Sequence, residues 1–233
     1  MNFIKKRVDL VILAGGKGRR LRTITKNKVP KPLVKINGTP FLDLLLQNLS
    51  KYNFNNIFIL CGHKGNQILK KYNKKKINNK LISCFIEKKP LGTGGALKNI
   101  KDKISKKFLL VNGDTFFKIN YNFVLNYNFG KNLGLMLLTN GQENSLANKL
   151  NNLSLKNGKV RFSKKSKMIN SGVYFFKSKI IEKINSYKGK QISLENDVLK
   201  NLILNGKIDG LKKRGYFIDI GTSRNYTKAK KYF

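Results

Sequence analysis

The chain has 233 residues, a length that suits one domain able to bury roughly 70–75% of the surface its unfolded form would expose. It carries 49 Lys and Arg against 11 Asp and Glu, a formal net charge of +38, and 40% of its residues are apolar. Two cysteines exclude a disulfide framework and a zinc cluster, and no apolar run reaches the length of a membrane span.

Short β-branched runs alternate with helical patterns along the chain. Strands are predicted at Val8–Leu13, Asn56–Cys61, Leu81–Glu87, Phe108–Val111 and Leu133–Thr139. Helices are predicted at Pro40–Lys51, Gly65–Ile77, Thr93–Lys101 and Tyr121–Phe129. The first of these has the clearest stripe: Phe41, Leu42, Leu45, Leu46 and Leu49 fall on one side, with Asp43 and Gln47 outside it. After Thr139 the rhythm changes. Leu150–Leu155 and Val160–Ser163 flank Asn157-Gly158 and read as a hairpin. A strand over Met168–Phe176, a short helix, a helix over Ser193–Ile203, a strand near Tyr216–Ile218 and a C-terminal helix complete the series. The expected class is α/β: a Rossmann-like, mostly parallel sheet flanked by helices, with an inserted antiparallel section, in a single domain over residues 1–233.

The charge has two readings. A pI near 10.3 suits a basic nucleic-acid-binding protein. Yet the lysines are scattered (Lys70–Lys71, Lys74–Lys76, Lys106–Lys107, Lys212–Lys213), Asn is abundant as well, and no zinc finger, helix-turn-helix or RNP pattern accompanies them. A drift of the whole composition toward Lys and Asn explains this better, without a specific nucleic-acid partner. The excess charge would still draw in small anions. The run Val11–Ala14 is too short for a secretory signal and lacks a cleavage site, so the chain is expected in the cytoplasm with Cys61 and Cys84 reduced.

The most informative stretch is LAGGKGRRLRTITKNKVPKPL, which follows the first predicted strand. A glycine-rich turn at a strand's carboxyl end lets backbone N–H groups approach a phosphate. The Walker pattern is absent, and the Rossmann fingerprint lacks its third glycine and the acidic residue at the end of the second strand. The loop therefore suits phosphate but not a dinucleotide. Its cations fit two phosphate-bearing substrates, whose mutual repulsion costs about 4 kcal/mol per unit charge pair at about 4 Å and an effective dielectric near 20. Arg20 can fork over a triphosphate, and Lys31, between Pro30 and Pro32, can supply a positioned point charge. Lys17 and Arg19 read as surface cations on the same loop.

Two carboxylates complete the pattern. Asp114 follows the strand Phe108–Val111 through Asn112-Gly113, and Asp219 follows Tyr216–Ile218. Carboxylates at strand ends near a phosphate loop are the hard oxygen ligands that Mg²⁺ takes, with substrate phosphates and water completing its shell. Gly92-Thr93-Gly94-Gly95 opens a predicted helix and offers N–H donors to a base or phosphate. His63, the one histidine, has no acidic or thiol partner in sequence and is given no role.

LAGGKGRRL and PKPLVKINGTPFLD, with EKKPLGTGGALK, VNGDTFF, INSGVYFF, SLENDVL and YFIDIGT, span nearly the whole chain in order. Together they resemble the sugar-1-phosphate nucleotidyltransferases, and are most similar to D-glycero-α-D-manno-heptose 1-phosphate guanylyltransferases. Mannose 1-phosphate guanylyltransferases and N-acetylmuramate 1-phosphate uridylyltransferases are close competitors. The resemblance implies the nucleotide-diphospho-sugar transferase fold. It implies transfer of a nucleoside monophosphate from a nucleoside triphosphate, GTP first, to a sugar 1-phosphate, with pyrophosphate leaving and the product feeding surface-glycan synthesis. It places Arg20 and Lys31 in catalysis and Asp114 and Asp219 on Mg²⁺. It assigns Leu13, Ala14, Gly15, Gly16, Gly18, Glu87, Gly92, Thr93 and Gly94 to the nucleotide. Asn112, Lys165, Asn170, Gly172 and Glu195 fall to the sugar phosphate. Phe162-Ser163-Lys164-Lys165 lacks the acidic residue that usually precedes the family's sugar-phosphate lysine, so Lys164 competes with Lys165 for that role.

Overall fold

A computed structural model of the chain describes residues 7–140 and 152–233. The main elements follow in the order β1 (Val8–Ala14), α1 (Phe41–Leu49), β2 (Ile57–Cys61), α2 (Gly65–Tyr72), β3 (Lys80–Ile86), β4 (Lys107–Asn112), β5 (Thr115–Lys118) and β6 (Gly134–Asn140). Then come β7 (Leu153–Lys156), β8 (Lys159–Phe162), β9 (Met168–Lys177), α3 (Lys179–Asn185), α4 (Lys200–Leu204), β10 (Ile208–Lys212), β11 (Tyr216–Asp219) and α5 (Ser223–Tyr232). One central sheet has the order β7-β8-β10-β6-β9-β4-β1-β2-β3, with the two-residue strand Lys76–Ile77 at its far edge. The strands are mostly parallel: only β8, β9 and Lys76–Ile77 run against the common direction.

Strand β1 shows why the sheet lies inside. Leu10, Ile12 and Ala14 pack into one apolar cluster and Val11 into another on the opposite face, so the strand is apolar at nearly every position. Helix α1 covers the first face through the predicted stripe: Phe41, Leu42, Leu45, Leu46 and Leu49 are all buried. Each such side chain contributes about 1.5–3 kcal/mol on leaving water. Asp43, on the outer side of α1, clasps α2 by accepting from Lys71 Nζ at 2.8 Å and the Tyr72 hydroxyl at 2.7 Å.

The one polar residue within β1 is Asp9, which is fully buried. Its carboxylate accepts from the Asn56 backbone N–H and side-chain amide, both at 3.1 Å, and from the Ser105 N–H at 2.6 Å. It thereby pins the segments that lead into β2 and β4. Asp9→Ala leaves these donors without a partner, at about 1–3 kcal/mol for each one that stays dry. We expect a loss of about 3 kcal/mol and a fall in Tm of roughly 6–12 °C, measurable by differential scanning fluorimetry. A Tm within 2 °C of the parent would show that water satisfies those groups.

Several elements differ from the sequence-based expectation. The helix expected over Gly65–Ile77 ends at Tyr72, because Lys74 and Lys75 exchange backbone hydrogen bonds with Ile82 and turn the chain back along β3. The helix expected over Tyr121–Phe129 is one turn, Asn122–Leu125; Phe129 leaves it to pack on Phe175, with ring centroids 4.9 Å apart. Thr93–Lys101 is one α-turn, Gly92–Gly95, followed by a 3₁₀ segment, Ala96–Ile100. Ser193–Ile203 opens as a π-helix over Leu194–Leu199 before α4. Strand β10 was not anticipated, since IDGLKK is broken by Gly210 and its charges; it pairs in parallel with β6. The hairpin forms with Asn157 and Gly158 both at positive φ, as an Asn-Gly turn requires. Its predicted start, residues 150–151, lies outside the described residues. The expected antiparallel section is built into the main sheet, where β9 runs antiparallel between β4 and β6. Among the described residues no helix is long and apolar enough to cross a membrane.

Candidate active site

The sheet itself marks where a ligand belongs. Its central strands lie in the order β3-β2-β1-β4, so the connections reverse direction between β1 and β4. A crevice opens outside the carboxyl ends of parallel strands at such a point. The register brings those ends level: Ala14 pairs with Cys61, Cys61 with Ile86, and Leu13 with Asn112. Backbone bonds continue past the strands, from His63 N–H to Gly15 O at 3.1 Å and from Gly113 N–H to Leu13 O at 2.8 Å. Above this edge lies a cavity of about 510 Å³, within the range of ligand pockets.

Predicted residues line it from several elements. Leu13, Ala14, Gly15 and Gly16 come from the first loop, Glu87 from the end of β3, Gly92 and Thr93 from the single-turn helix, and Lys31, Asn112 and Asp114 from the far wall. Sequence reasoning missed Gly62, His63, Pro90 and Gln191, which also line it. The signal for Gly62 was present in GHKG. A Cβ there would stand 2.4 Å from Glu87 Oε1 and 2.7 Å from Gly15 O, so the loops after β1, β2 and β3 can close only around a glycine. Gln191 comes from a loop whose only sequence mark is polarity. Cys61 lines the cavity as a buried free thiol, and Cys84 is also free.

The charged centre is built from three distant segments. Pro30 is extended and Lys31-Pro32-Leu33 forms a 3₁₀ turn, closed by the Val34 N–H donating to Lys31 O at 3.1 Å. This frame turns Lys31 inward, and it is only 9% exposed. Asp114 and Asp219 meet through a two-stranded ribbon apart from the main sheet: β5 pairs with β11, Thr115 opposite Asp219, and the Ile220 N–H donates to Asp114 O at 3.0 Å. The Lys31 ammonium lies between the two carboxylates, 2.5 Å from Asp114 Oδ2 and 3.4 Å from Asp219 Oδ1. The Gly221 N–H holds Asp219 Oδ1 in place at 2.5 Å.

Burial acts to lower the pKa of Lys31, but Asp114 and Asp219 more than offset it and hold the ammonium above its ordinary value. Burial also pushes the Asp114 carboxyl up, and Lys31 outweighs that and holds it below the usual range. Asp219 goes the other way: burial and then the charge of Asp114 raise it, with Lys31 offsetting only part. Arg20 is exposed and does not line the cavity, although its charge reaches both Lys31 and Asp219.

The remaining predicted residues divide. The Gly94 and Gly95 N–H groups both donate to Ile192 O, at 2.9 and 3.2 Å, so they are not free for a base or phosphate as expected. Thr93 uses its hydroxyl to accept from the Leu194 N–H at 2.9 Å and to donate to Glu195 Oε2 at 2.8 Å. That fixes Glu195 beside the cavity rim rather than in its lining. Asn170 is buried and structural, its amide donating to the Tyr174 hydroxyl at 2.5 Å and its oxygen accepting from Gly172 N–H at 3.0 Å. Gly172 abuts the Asn112 side chain. Asn112 Oδ1 is buried with no hydrogen-bond partner, an orphaned acceptor on a side chain that lines the cavity. Gly18 packs on the Lys31 stem rather than into the cavity. Lys164 and Lys165 are exposed on the loop between β8 and β9 and do not line it.

Comparison with known proteins agrees with this architecture. The chain is 31% identical over 97% of its length to a bifunctional protein GlmU of Methanococcus maripaludis, and spans about half (54%) of that longer relative. It is 30% identical to the D-glycero-α-D-manno-heptose 1-phosphate guanylyltransferase of Aneurinibacillus thermoaerophilus, covering 96% of this chain and 97% of that one. The crystal structure of HddC from Yersinia pseudotuberculosis superposes with a TM-score of 0.79 at 30% identity, over 97% of this chain and 99% of HddC. A second HddC structure, complexed with GMP-PN, matches at 31% identity and the same TM-score. The nucleotidyl transferase profile matches residues 10–233, and the chain belongs to that family.

Proposed function

We propose that the chain, as one domain over residues 1–233, transfers a nucleoside monophosphate from a nucleoside triphosphate to a sugar 1-phosphate and releases pyrophosphate. GTP and D-glycero-D-manno-heptose 1-phosphate are the favoured pair, with the product going to surface-glycan synthesis and the reaction in the cytoplasm, where triphosphates are supplied. The observation that carries this reading is the meeting of Lys31 and Asp114, which line a nucleotide-sized cavity on the switch point of the sheet, with Asp219, 3.4 Å from the Lys31 ammonium. The choice of pair rests on relatives named as heptose 1-phosphate guanylyltransferases that match end to end.

The donor set fits Mg²⁺. Among the described residues no third His, Cys, Asp or Glu joins the two carboxylates. Mg²⁺ commonly takes one or two carboxylates and completes its shell with phosphate and water, whereas a structural zinc site needs four protein ligands. Asp114 and Asp219 would hold the ion, which when bound neutralises phosphate charge and aligns the two phosphates. The glycine loop after β1 brings backbone close to the triphosphate, and Glu87, Gly92 and Thr93 border the base. Lys31 and Arg20 offset the charge that builds between the attacking sugar phosphate and the α-phosphate. No general base is needed, because the nucleophile is already an anion. Asn112, whose side-chain oxygen is left without a partner, would serve the sugar, with Glu195 and Lys165 further out.

The test is a pyrophosphate-release assay of GTP, UTP, dTTP, CTP and ATP against heptose, mannose, glucose and amino-sugar 1-phosphates, with and without Mg²⁺. Release with GTP and the heptose, dependent on Mg²⁺, is the expected result. Silence with every pair overturns the reaction, and a preference for UTP overturns the pair.

A further inference from the structure

We infer that the Lys31 ammonium is the resident occupant of the divalent-ion position, so that an ion entering between Asp114 and Asp219 displaces it into the cavity. There it becomes a ligand for phosphate. The inference rests on the transferase reading for what fills the cavity, but not for the competition between the two cations.

Three observations carry it. The ammonium already contacts the oxygens that an ion would take, Asp114 Oδ2 and Asp219 Oδ1. The Gly221 backbone closes on the pair from one side: a Cβ there would stand only 3.1 Å from Lys31 Nζ and 2.7 Å from Asp219 Oδ1, and the Gly221 N–H already donates to Asp219 Oδ1. Charge agrees with space, since a divalent ion beside the ammonium would set three positive charges against two negative ones where Lys31 is only 9% exposed, with Arg20 adding repulsion.

The frame around Lys31 also limits the direction of release. The Lys31 backbone is held by the flanking prolines and its 3₁₀ turn, and its Cβ lies against Gly18. Only the outer side-chain bonds are free to turn. Lys31 lines the cavity as well as the carboxylate pair, so the ammonium that leaves one enters the other. The only other carboxylate among the residues lining the cavity is Glu87, already bonded to the Leu91 N–H, and a bound phosphate supplies the missing counter-charge. Ion and phosphate therefore bind as a coupled pair, each favouring the other. A lysine described only as a static phosphate contact implies no such coupling.

The test uses Mn²⁺ as the probe and the nucleotide-free chain, with free Mn²⁺ read by electron paramagnetic resonance. Lys31→Met keeps an unbranched stem and removes the charge. If Lys31 occupies the carboxylate pair nine-tenths of the time, it weakens apparent ion affinity about tenfold. The variant is expected to bind Mn²⁺ at least about tenfold more tightly than the parent, although Lys31 belongs to the catalytic set. Equal or weaker binding overturns the inference. Should Lys31→Met fail to fold, the parent chain supplies the second readout. Acylation of Lys31 by an amine-reactive ester, followed by peptide mass spectrometry, should accelerate several-fold when Mg²⁺ is added, relative to other lysines. An unchanged or slower rate overturns the displacement. Neither readout needs pyrophosphate release, so failure of the proposed reaction and failure of the cation exchange are separately visible.

Discussion

Lys31→Met is expected to lower kcat for nucleotidyl transfer by about 10²–10³, with a smaller change in KM. The magnitude follows from removing one preorganised charge that acts where negative charge accumulates. The effect is large because Lys31 is buried, framed by two prolines, and lines the cavity beside Asp114. Arg19, exposed on the same loop and outside the cavity lining, lacks that preorganisation, so Arg19→Ala should leave kcat within about threefold. Initial rates of pyrophosphate release at saturating triphosphate, with circular dichroism to confirm folding, decide the matter. A Lys31→Met enzyme within threefold of the parent would remove Lys31 from the chemistry. Paired with tighter Mn²⁺ binding by the same variant, the loss of turnover would separate the two tasks of one side chain.

Gly92→Ala should cost about 3 kcal/mol of stability, a fall in Tm of roughly 6–12 °C, and should raise KM for the triphosphate. Gly92 has φ +80°, a region costly for any residue with a Cβ. An added Cβ would also stand 2.4 Å from Ile192 O and 2.8 Å from Ile192 C. These are backbone atoms, so rotation of a side chain gives no relief. Moving them apart would break the bonds from Gly94 and Gly95 N–H to Ile192 O and from Ile192 N–H to Leu91 O. Gly92, Thr93 and Gln191 all line the cavity, which ties the loss of stability to a loss of binding. Gly38→Ala is the control: its φ is also positive, at +88°, but a Cβ there meets nothing within 4 Å. It should lose only the conformational share. Equal losses at the two positions would refute the role assigned to the Ile192 contact.

The site was legible in the sequence to the extent that it lies beside strand ends. Gly15, Gly16, Glu87, Asn112 and Asp114 each follow an apolar run that could be read as a strand. Parallel strands carry such residues to one edge without further information. Arg20 reads as a phosphate clamp from its place in the motif; in the structure it is exposed and outside the cavity lining, because the 3₁₀ turn Arg19–Leu21 buries Leu21 and turns its neighbours outward, while its charge still reaches Lys31 and Asp219. The N–H donors expected from Gly94 and Gly95 proved to be spent on Ile192, a contact across about a hundred residues that local pattern does not encode.

The sequence alone determined the alternation of elements, the sheet buried on both faces, the inward stripe of α1 and the loops after the first strands. Those follow from side-chain periodicity and glycine placement, which are local properties. Only the tertiary structure decided that Asp219 stands beside Asp114 and that Lys31 fills the gap between them. The antiparallel ribbon of β5 and β11 joins segments far apart in the chain, and a buried ammonium is stable there only because two carboxylates offset its desolvation.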